Sequence, residues 1–198
     1  MLFRSIGRTE DPALAEGQIR LGQAIFSEIT ALPVPTVAAV HGVCVGGGVE
    51  MALACDYRVL SDSTRTTLSL PEVQLGILPA WGGTTRLPRL IGLQAALDML
   101  LTGKKVRPSK AKRIGLASAV VPAPIFHGAV RDFALGLVGD PGEGATPAVV
   151  VLVDHRPPDR LEDLELLLRS VGRGEDLDVA LEAAGAVRRL IEIRLVAC

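Results

Sequence analysis

Two glutamates of this chain stand where charge is costly. Glu50 follows three glycines in "VHGVCVGGGVEMALACDYR" (residues 40–58), and Glu72 lies in "SLPEVQLG", directly after Pro71. Apolar surroundings retune a carboxyl group, and two retuned carboxyls in one pocket can work as an acid and base pair. Glu50 also has a purely structural account, because negative charge in the first turn of a helix is favourable by itself. The acids are 22 residues apart (72 − 50). That spacing alone does not bring them together; a fold has to.

The glycines supply the second half of the chemistry. A strand, a glycine corner and a helix N-terminus aim free N–H groups at one point, and the helix dipole adds partial positive charge. Three ligands suit such a corner. For a dinucleotide, Gly46 and Gly48 fit the first two positions of G-x-G-x-x-G, but Met51 takes the third. A P-loop needs Lys and Ser or Thr after the last glycine, and here Val49 and Glu50 follow Gly48. An oxyanion hole remains: an N–H near Gly47 facing a carbonyl oxygen that gains charge during reaction. Glu50, one turn into the helix, can then face the same pocket.

The surrounding pattern predicts the elements that hold these groups. Residues 11–32 have helical spacing, with Leu14, Ile19, Leu21, Ile25, Ile29 and Leu32 on a broad face, and Pro33 and Pro35 end the helix. "TVAAVHG" reads as a strand buried on both faces, "VEMALAC" as the helix leaving the glycines, and "DYRVLS" as a second strand. "TTLSLPEVQLGILPAWGG" is broken by Pro71, Gly76 and Pro79 and reads as short strands and bends. "GGTTRLPRLIG", "LQAALDMLLTG" and "RPSKAKRIGL" are helical, and "ASAVVPA" is a strand. A core over residues 1–138 is therefore expected, then a Gly/Pro-rich linker at 139–160, then a helical segment at 161–198.

Composition narrows the function classes. Of 198 residues, 48% are apolar and 3% aromatic, so the core is aliphatic and base stacking on aromatics is disfavoured. A net charge of −1 without a basic run offers no footprint for nucleic acid. Cys44, Cys55 and Cys198 form no C-x-x-C pair and read as buried or incidental thiols; His41, His127 and His155 are scattered, and no metal site is expected. The longest uncharged stretch, 29–49, contains Pro33, Pro35, His41 and four glycines, so it reads as strand and turn rather than a membrane span. "MLFRSIGRTEDP" has no long apolar run of a secretory signal.

These segments resemble the enoyl-CoA hydratase/isomerase (crotonase) family. The likeness is carried by "PVPTVAAVHGVCVGGGVEMALACDYRVLSDSTRTTLSLPEVQLGILPAWGGTTRLPRLIG" and continues through "LTGKKVRPSKAKRIGLASAVVP", over about residues 15–135. It implies an α/β fold with a crotonase-type ββα spiral core, incomplete at the N-terminus, followed by C-terminal helices. It implies hydration of trans-2-enoyl-CoA to 3-hydroxyacyl-CoA in fatty-acid β-oxidation. Gly47 matches the oxyanion-hole glycine, and Gly46 and Gly48 beside it are expected to bind substrate. Glu50 matches the acid that activates water, and Glu72 the acid that protonates the α-carbon. Pro71, Pro79, Ala80 and Trp81 fall in the substrate-binding segment. Family isomerases typically keep only the second acid, so both together favour hydratase over Δ3-Δ2-enoyl-CoA isomerase. A non-catalytic fragment that only binds a partner or CoA is the alternative of another class.

The "DYRVLSDSTRTTLSLPE" stretch resembles the longer form in the hydratase domain of multifunctional fatty-acid oxidation complex α-subunits. The resemblance implies an acyl-CoA thioester substrate, no cofactor beyond the CoA of that substrate, a cytoplasmic location, and either a homo-oligomer (trimer or hexamer) or a thiolase subunit as partner. No dinucleotide fingerprint follows, so hydride chemistry is not expected here. Three departures stand out. "MLFRSIGR" does not match the family's N-terminal oxyanion segment, which reads as an N-terminal truncation; "PAWGG" places Ala80 where the family commonly has glycine; and residues after about 140 do not follow the family's C-terminal helices. His41 reads as a structural neighbour of the turn. Arg86 and Arg89 read as a solvated helix face, with a CoA phosphate contact as the alternative. Trp81 suits an acyl pocket or the core equally.

Overall fold

A computed structural model describes residues 12–138 and the backbone of residues 149–154. The chain opens with helix α1 (Pro12–Thr30). Strand β1 (Thr36–His41), strand β2 (Val43–Val45) and helix α2 (Gly47–Ala54) follow. Strand β3 (Tyr57–Ser61), strand β4 (Thr67–Ser69), a 3₁₀ turn (Pro71–Leu75) and helix α3 (Gly83–Ile91) repeat that order. Helices α4 (Leu93–Thr102) and α5 (Pro108–Arg113), strand β5 (Ala119–Val121), helix α6 (Phe126–Val138) and strand β6 (Val149–Asp154) complete it.

The topology is a ββα repeat. Each turn places its first strand in one sheet and its second in another. The larger sheet has the order β5-β3-β1-β6, and the smaller pairs β2 with β4. All the named pairings are parallel, with Val37 opposite Tyr57 in one sheet and Val43 opposite Thr67 in the other. Parallel strands need covering on both faces, and β1 shows it. Ala38 faces Ile25, Phe26 and Ile29 of α1, whereas Val37 and Ala39 pack with Phe126, Val130 and Ala134 of α6.

Two expectations change. In α1 the buried stripe is Gly22, Ile25, Phe26 and Ile29, while Leu14 and Leu21 are about half exposed. The buried arc is centred between Ile29 and Gly22, which leaves Leu21 at its rim. Residues 149–154, inside the stretch read as linker, form β6 and pair with β1 from Thr36↔Val149 to His41↔Asp154. The β-branched residues Val149, Val150, Val151 and Val153 favour a strand. The expected helices of 161–198 and the N-terminal residues 1–11 lie outside the described residues.

One buried cation fastens the first turn to the rest. Arg58 on β3 is 5% exposed. Its guanidinium donates to the carbonyls of Ala52, Cys55, Asp56 and Leu116. It thereby satisfies the carboxyl end of α2 and joins it to the turn before β5. Arg58→Met keeps the bulk and strands these carbonyls, so it should cost about 3 kcal/mol of unfolding free energy. Urea titration measures it; a loss below about 1 kcal/mol would show that the carbonyls find other donors.

Candidate active site

The two acids meet because the second turn of the spiral repeats the first. Glu50 follows β2 at the start of α2, and Glu72 follows β4 at the start of the 3₁₀ turn. Val45 lies opposite Ser69 in the β2–β4 ladder, and the Gly46 N–H donates to the Ser69 carbonyl at 3.0 Å. The chain segments carrying the acids therefore leave adjacent strands side by side. Gly46 makes the corner with φ 56° and ψ −126°, a conformation open to glycine and closed to other residues. From there α2 begins: the Val49 and Glu50 N–H groups donate to the Gly46 carbonyl, which leaves the N–H groups of Gly47 and Gly48 as the ones without a carbonyl one turn earlier. Gly47 is buried at that end, with Gly48 half-buried beside it.

Both acids are buried, Glu50 at 0% exposure and Glu72 at 1%. Their surroundings differ. Glu50 Oε1 accepts the backbone N–H of Trp81 at 2.8 Å and of Gly83 at 2.9 Å. Among the described residues, Glu50 Oε2 and both Glu72 oxygens have no hydrogen-bond partner. Burial raises the Glu50 carboxyl above its ordinary range, opposed by the Gly83 and Trp81 N–H groups and by the Arg86 cation. Burial pushes the Glu72 carboxyl up to about 7. Its own peptide N–H lies near enough to oppose this slightly, without hydrogen-bonding geometry, and the Glu50 charge adds to the rise. The arrangement can thus hold one carboxyl that accepts a proton beside one that donates it near neutrality.

The predicted residues fall into two groups. Gly46, Gly47, Gly48, Glu50, Pro71 and Glu72 gather where the two turns adjoin. Pro79 is buried, and a Cβ on Gly83 would stand 3.1 Å from both Pro79 Cβ and Glu50 Oε1. Ala80 keeps a negative φ, since among the described residues only glycines have positive values. Its peptide therefore turns without needing glycine. Trp81, placed among the substrate-binding residues, serves otherwise. Its indole is buried in the core, edge-on to Phe26 at 5.7 Å between ring centres, and only its backbone N–H addresses Glu50. A large apolar ring is more stable against α1 than beside two acids.

Arg86 is corrected too. It is half-buried rather than on a solvated face, and donates to the Trp81 carbonyl at 3.0 Å. Arg89 is exposed as expected, and His41 packs against Phe126. Cys44 and Cys55 are buried free thiols. Sequence reasoning missed the N–H donors of Trp81 and Gly83, because backbone groups carry no residue signature. It also missed Gln23, which reaches the Ala80 carbonyl from 57 residues away.

This geometry defines a two-carboxylate site on a ββα spiral, and the chain belongs to the enoyl-CoA hydratase/isomerase family, whose profile matches residues 9–143. It is 56% identical over 119 residues to the fatty acid oxidation complex subunit alpha of Vibrio vulnificus, covering 60% of this chain and 17% of that one. Its identity to the subunit of the same name in Aliivibrio fischeri is 54% over 135 residues, or 68% and 19% of the two chains. An enoyl-CoA hydratase structure from Geobacillus kaustophilus superposes with TM-score 0.63 and 40% identity, over 66% of this chain and 49% of that one. One from Bacillus anthracis gives 0.62 and 33%, over 66% and 50%. The chain thus spans under a fifth of the α-subunits and about half of the solved hydratases.

The raised Glu72 carboxyl makes stability depend on pH in a stated direction. A group that binds its proton more tightly when folded stabilises the fold fully below its ordinary value, near 4.5, and loses that contribution as pH rises through about 7. Glu72→Gln removes the titration. Its stability relative to the parent should rise between pH 4.5 and 7, by up to roughly 3 kcal/mol. Urea unfolding at several pH values tests this, and a constant difference across the range would place the titration elsewhere.

Proposed function

We propose that this chain carries an enoyl-CoA hydratase site, adding water syn across the double bond of a trans-2-enoyl-CoA to give a 3-hydroxyacyl-CoA, as in fatty-acid β-oxidation. The observation that carries the reading is the pair of buried acids with unequal surroundings, Glu50 held on one oxygen by two N–H groups and Glu72 held by none. In the family both acids belong to the hydration reaction, and the relatives' names point to the same pathway.

The residues divide the work as follows. The Gly47 N–H, at the positive end of α2, faces the thioester oxygen as it gains enolate charge. Glu50 Oε2 accepts a proton from water as the water oxygen bonds to the β-carbon. Glu72, protonated for part of the time near neutrality, delivers a proton to the α-carbon. The proton left on Glu50 passes back to Glu72, which closes the balance: one water consumed, one C–O and one C–H bond formed. The steps are one addition of water oxygen to carbon and the proton transfers around it, with no net change of oxidation state, so the reading calls for no metal or redox group, and CoA enters with the substrate.

Assembly belongs to the same proposal. The matched relatives are subunits of a complex, which supports a multi-subunit setting for this chain, as a homo-oligomer or beside a thiolase subunit. The family resemblance supports a cytoplasmic location; as a separate fact, among the described residues no helix is long and apolar enough to cross a membrane.

The test is loss of enoyl absorbance when the full chain is mixed with crotonyl-CoA. Turnover should fall at least about 100-fold in Glu50→Gln and in Glu72→Gln. With a 3-enoyl-CoA, Glu50→Gln should retain most of any isomerisation that the parent shows. A folded parent chain without turnover would mean that the acids survive here as architecture only.

A further inference from the structure

We propose that Gln23 and Arg86 are positioning residues for Glu50: they hold the Ala80–Gly83 turn from outside so that its inner N–H groups stay on Glu50 Oε1 and Oε2 is the oxygen left for water. The proposal rests on the hydratase reading for its kinetic part and on geometry alone for the rest.

The argument follows from the planarity of the peptide. In a trans peptide unit the C=O and the following N–H point in opposite directions and move as one plate. The Ala80 carbonyl and the Trp81 N–H share such a plate. Gln23 Nε2 donates to the Ala80 carbonyl at 2.7 Å, and on the other side the Trp81 N–H donates to Glu50 at 2.8 Å. Whatever holds the first bond aims the second. The next plate joins the Trp81 carbonyl to the Gly82 N–H, and Arg86 Nη1 donates to that carbonyl at 3.0 Å. The plate after it carries the Gly83 N–H to Glu50 at 2.9 Å. The turn is thus gripped on two outward carbonyls and presents two inward donors.

The surroundings fit a built grip. Arg86 Nη2 also lies 3.4 Å from the Phe26 carbonyl on α1, so the cation bridges α3, the turn and α1. A Cβ on Gly82 would overlap the Arg86 guanidinium, and one on Gly22 would fall inside the Trp81 indole. Both glycines leave room for the groups that fix the turn. Among the described residues neither the Gln23 nor the Arg86 side chain hydrogen-bonds to Glu50; Gln23 acts through the backbone plate alone, and Arg86 adds its charge.

Two readouts test the idea, one of them independent of activity. The first is titration of the Glu50 side-chain carboxyl by carbon NMR in the full chain. N–H donors favour the charged carboxylate, so Gln23→Ala should move the Glu50 midpoint upward. Arg86→Gln should move it further, because it also removes a charge, and Arg86→Lys should restore part of the change. The charge couplings at the site, of Arg86 to Glu50 and of Glu50 to Glu72, are left in place by Gln23→Ala, which makes that variant decisive; its side chain is exposed, so the fold should persist if Arg86 variants fail. The second readout is kcat for crotonyl-CoA. We expect a fall of about three- to tenfold in Gln23→Ala with KM little changed, the size of one hydrogen bond. An unmoved Glu50 midpoint in folded Gln23→Ala overturns the proposal. A moved midpoint in a chain without turnover upholds the positioning and overturns the hydratase reading instead.

Discussion

The constraint on which the site depends is a ladder of three residue pairs. Strands β2 and β4 pair over Val43↔Thr67, Cys44↔Leu68 and Val45↔Ser69. With the Gly46 N–H on the Ser69 carbonyl, this ladder brings the segment of Glu50 alongside that of Glu72. The ladder is short, yet its register is well determined. Cys44 is 1% and Leu68 0% exposed, whereas Val43 and Val45 stand about two-fifths open. A slip of β2 by one residue would exchange its buried and open faces and part the acids. Leu68 is gripped from its other side by a bridge to Val106, with both backbone hydrogen bonds formed. The glycine corner can leave β2 at a demanding angle because β4, the pairing partner of β2, is held on both sides.

Burying two carboxyls beside each other opposes folding, and the fold meets the two costs unequally. Glu50 is compensated by two N–H donors at the start of α3 and by the Arg86 cation. Glu72 is left with almost nothing, and its acidity falls accordingly. This inequality is what sets the two acidities apart within a pair of identical side chains. It arises from placement in the spiral. Glu50 lies one turn earlier and faces the head of the following helix, while Glu72 opens a 3₁₀ turn that offers it no such head. The aliphatic clusters around Leu87, Leu68 and Val49 on one side, and Phe126 and Val130 on the other, supply the stability that this arrangement consumes.

Much of this was legible in the chain. The strand "TVAAVHG", the glycine corner, the helix behind it and the broken stretch around Pro71 stand where patterning puts them, because local sterics and burial dominate there. The burial of the acids was visible as two carboxyls in apolar company, though their meeting required the ladder register. Three features were not legible. β6 lies among glycines and prolines, so its short apolar run read as linker, and only the open edge of β1 gives it a place. Arg86 has the spacing of a surface residue, and only the carbonyls presented by the turn draw it inward. Trp81 could equally face a pocket or a core, and the choice was made by Phe26 and Gly22, more than 50 positions earlier.

That last choice links the first helix to the chemistry. Gly22 sits in the middle of α1, where glycine costs about 1 kcal/mol relative to alanine. Helix propensity gives no reason for it. The Trp81 indole does, since a side chain at that position would fall inside the ring. The ring in turn fixes the peptide whose N–H meets Glu50, at a turn where Ala80 stands in place of the glycine the family commonly uses. A bulky anchor and a matching gap in α1 thus hold by packing a turn that Ala80 shapes without positive φ. Helix α1 gives up intrinsic stability for a contact that orders the carboxylate, and the site extends in this physical sense to a helix that contributes no acid to it.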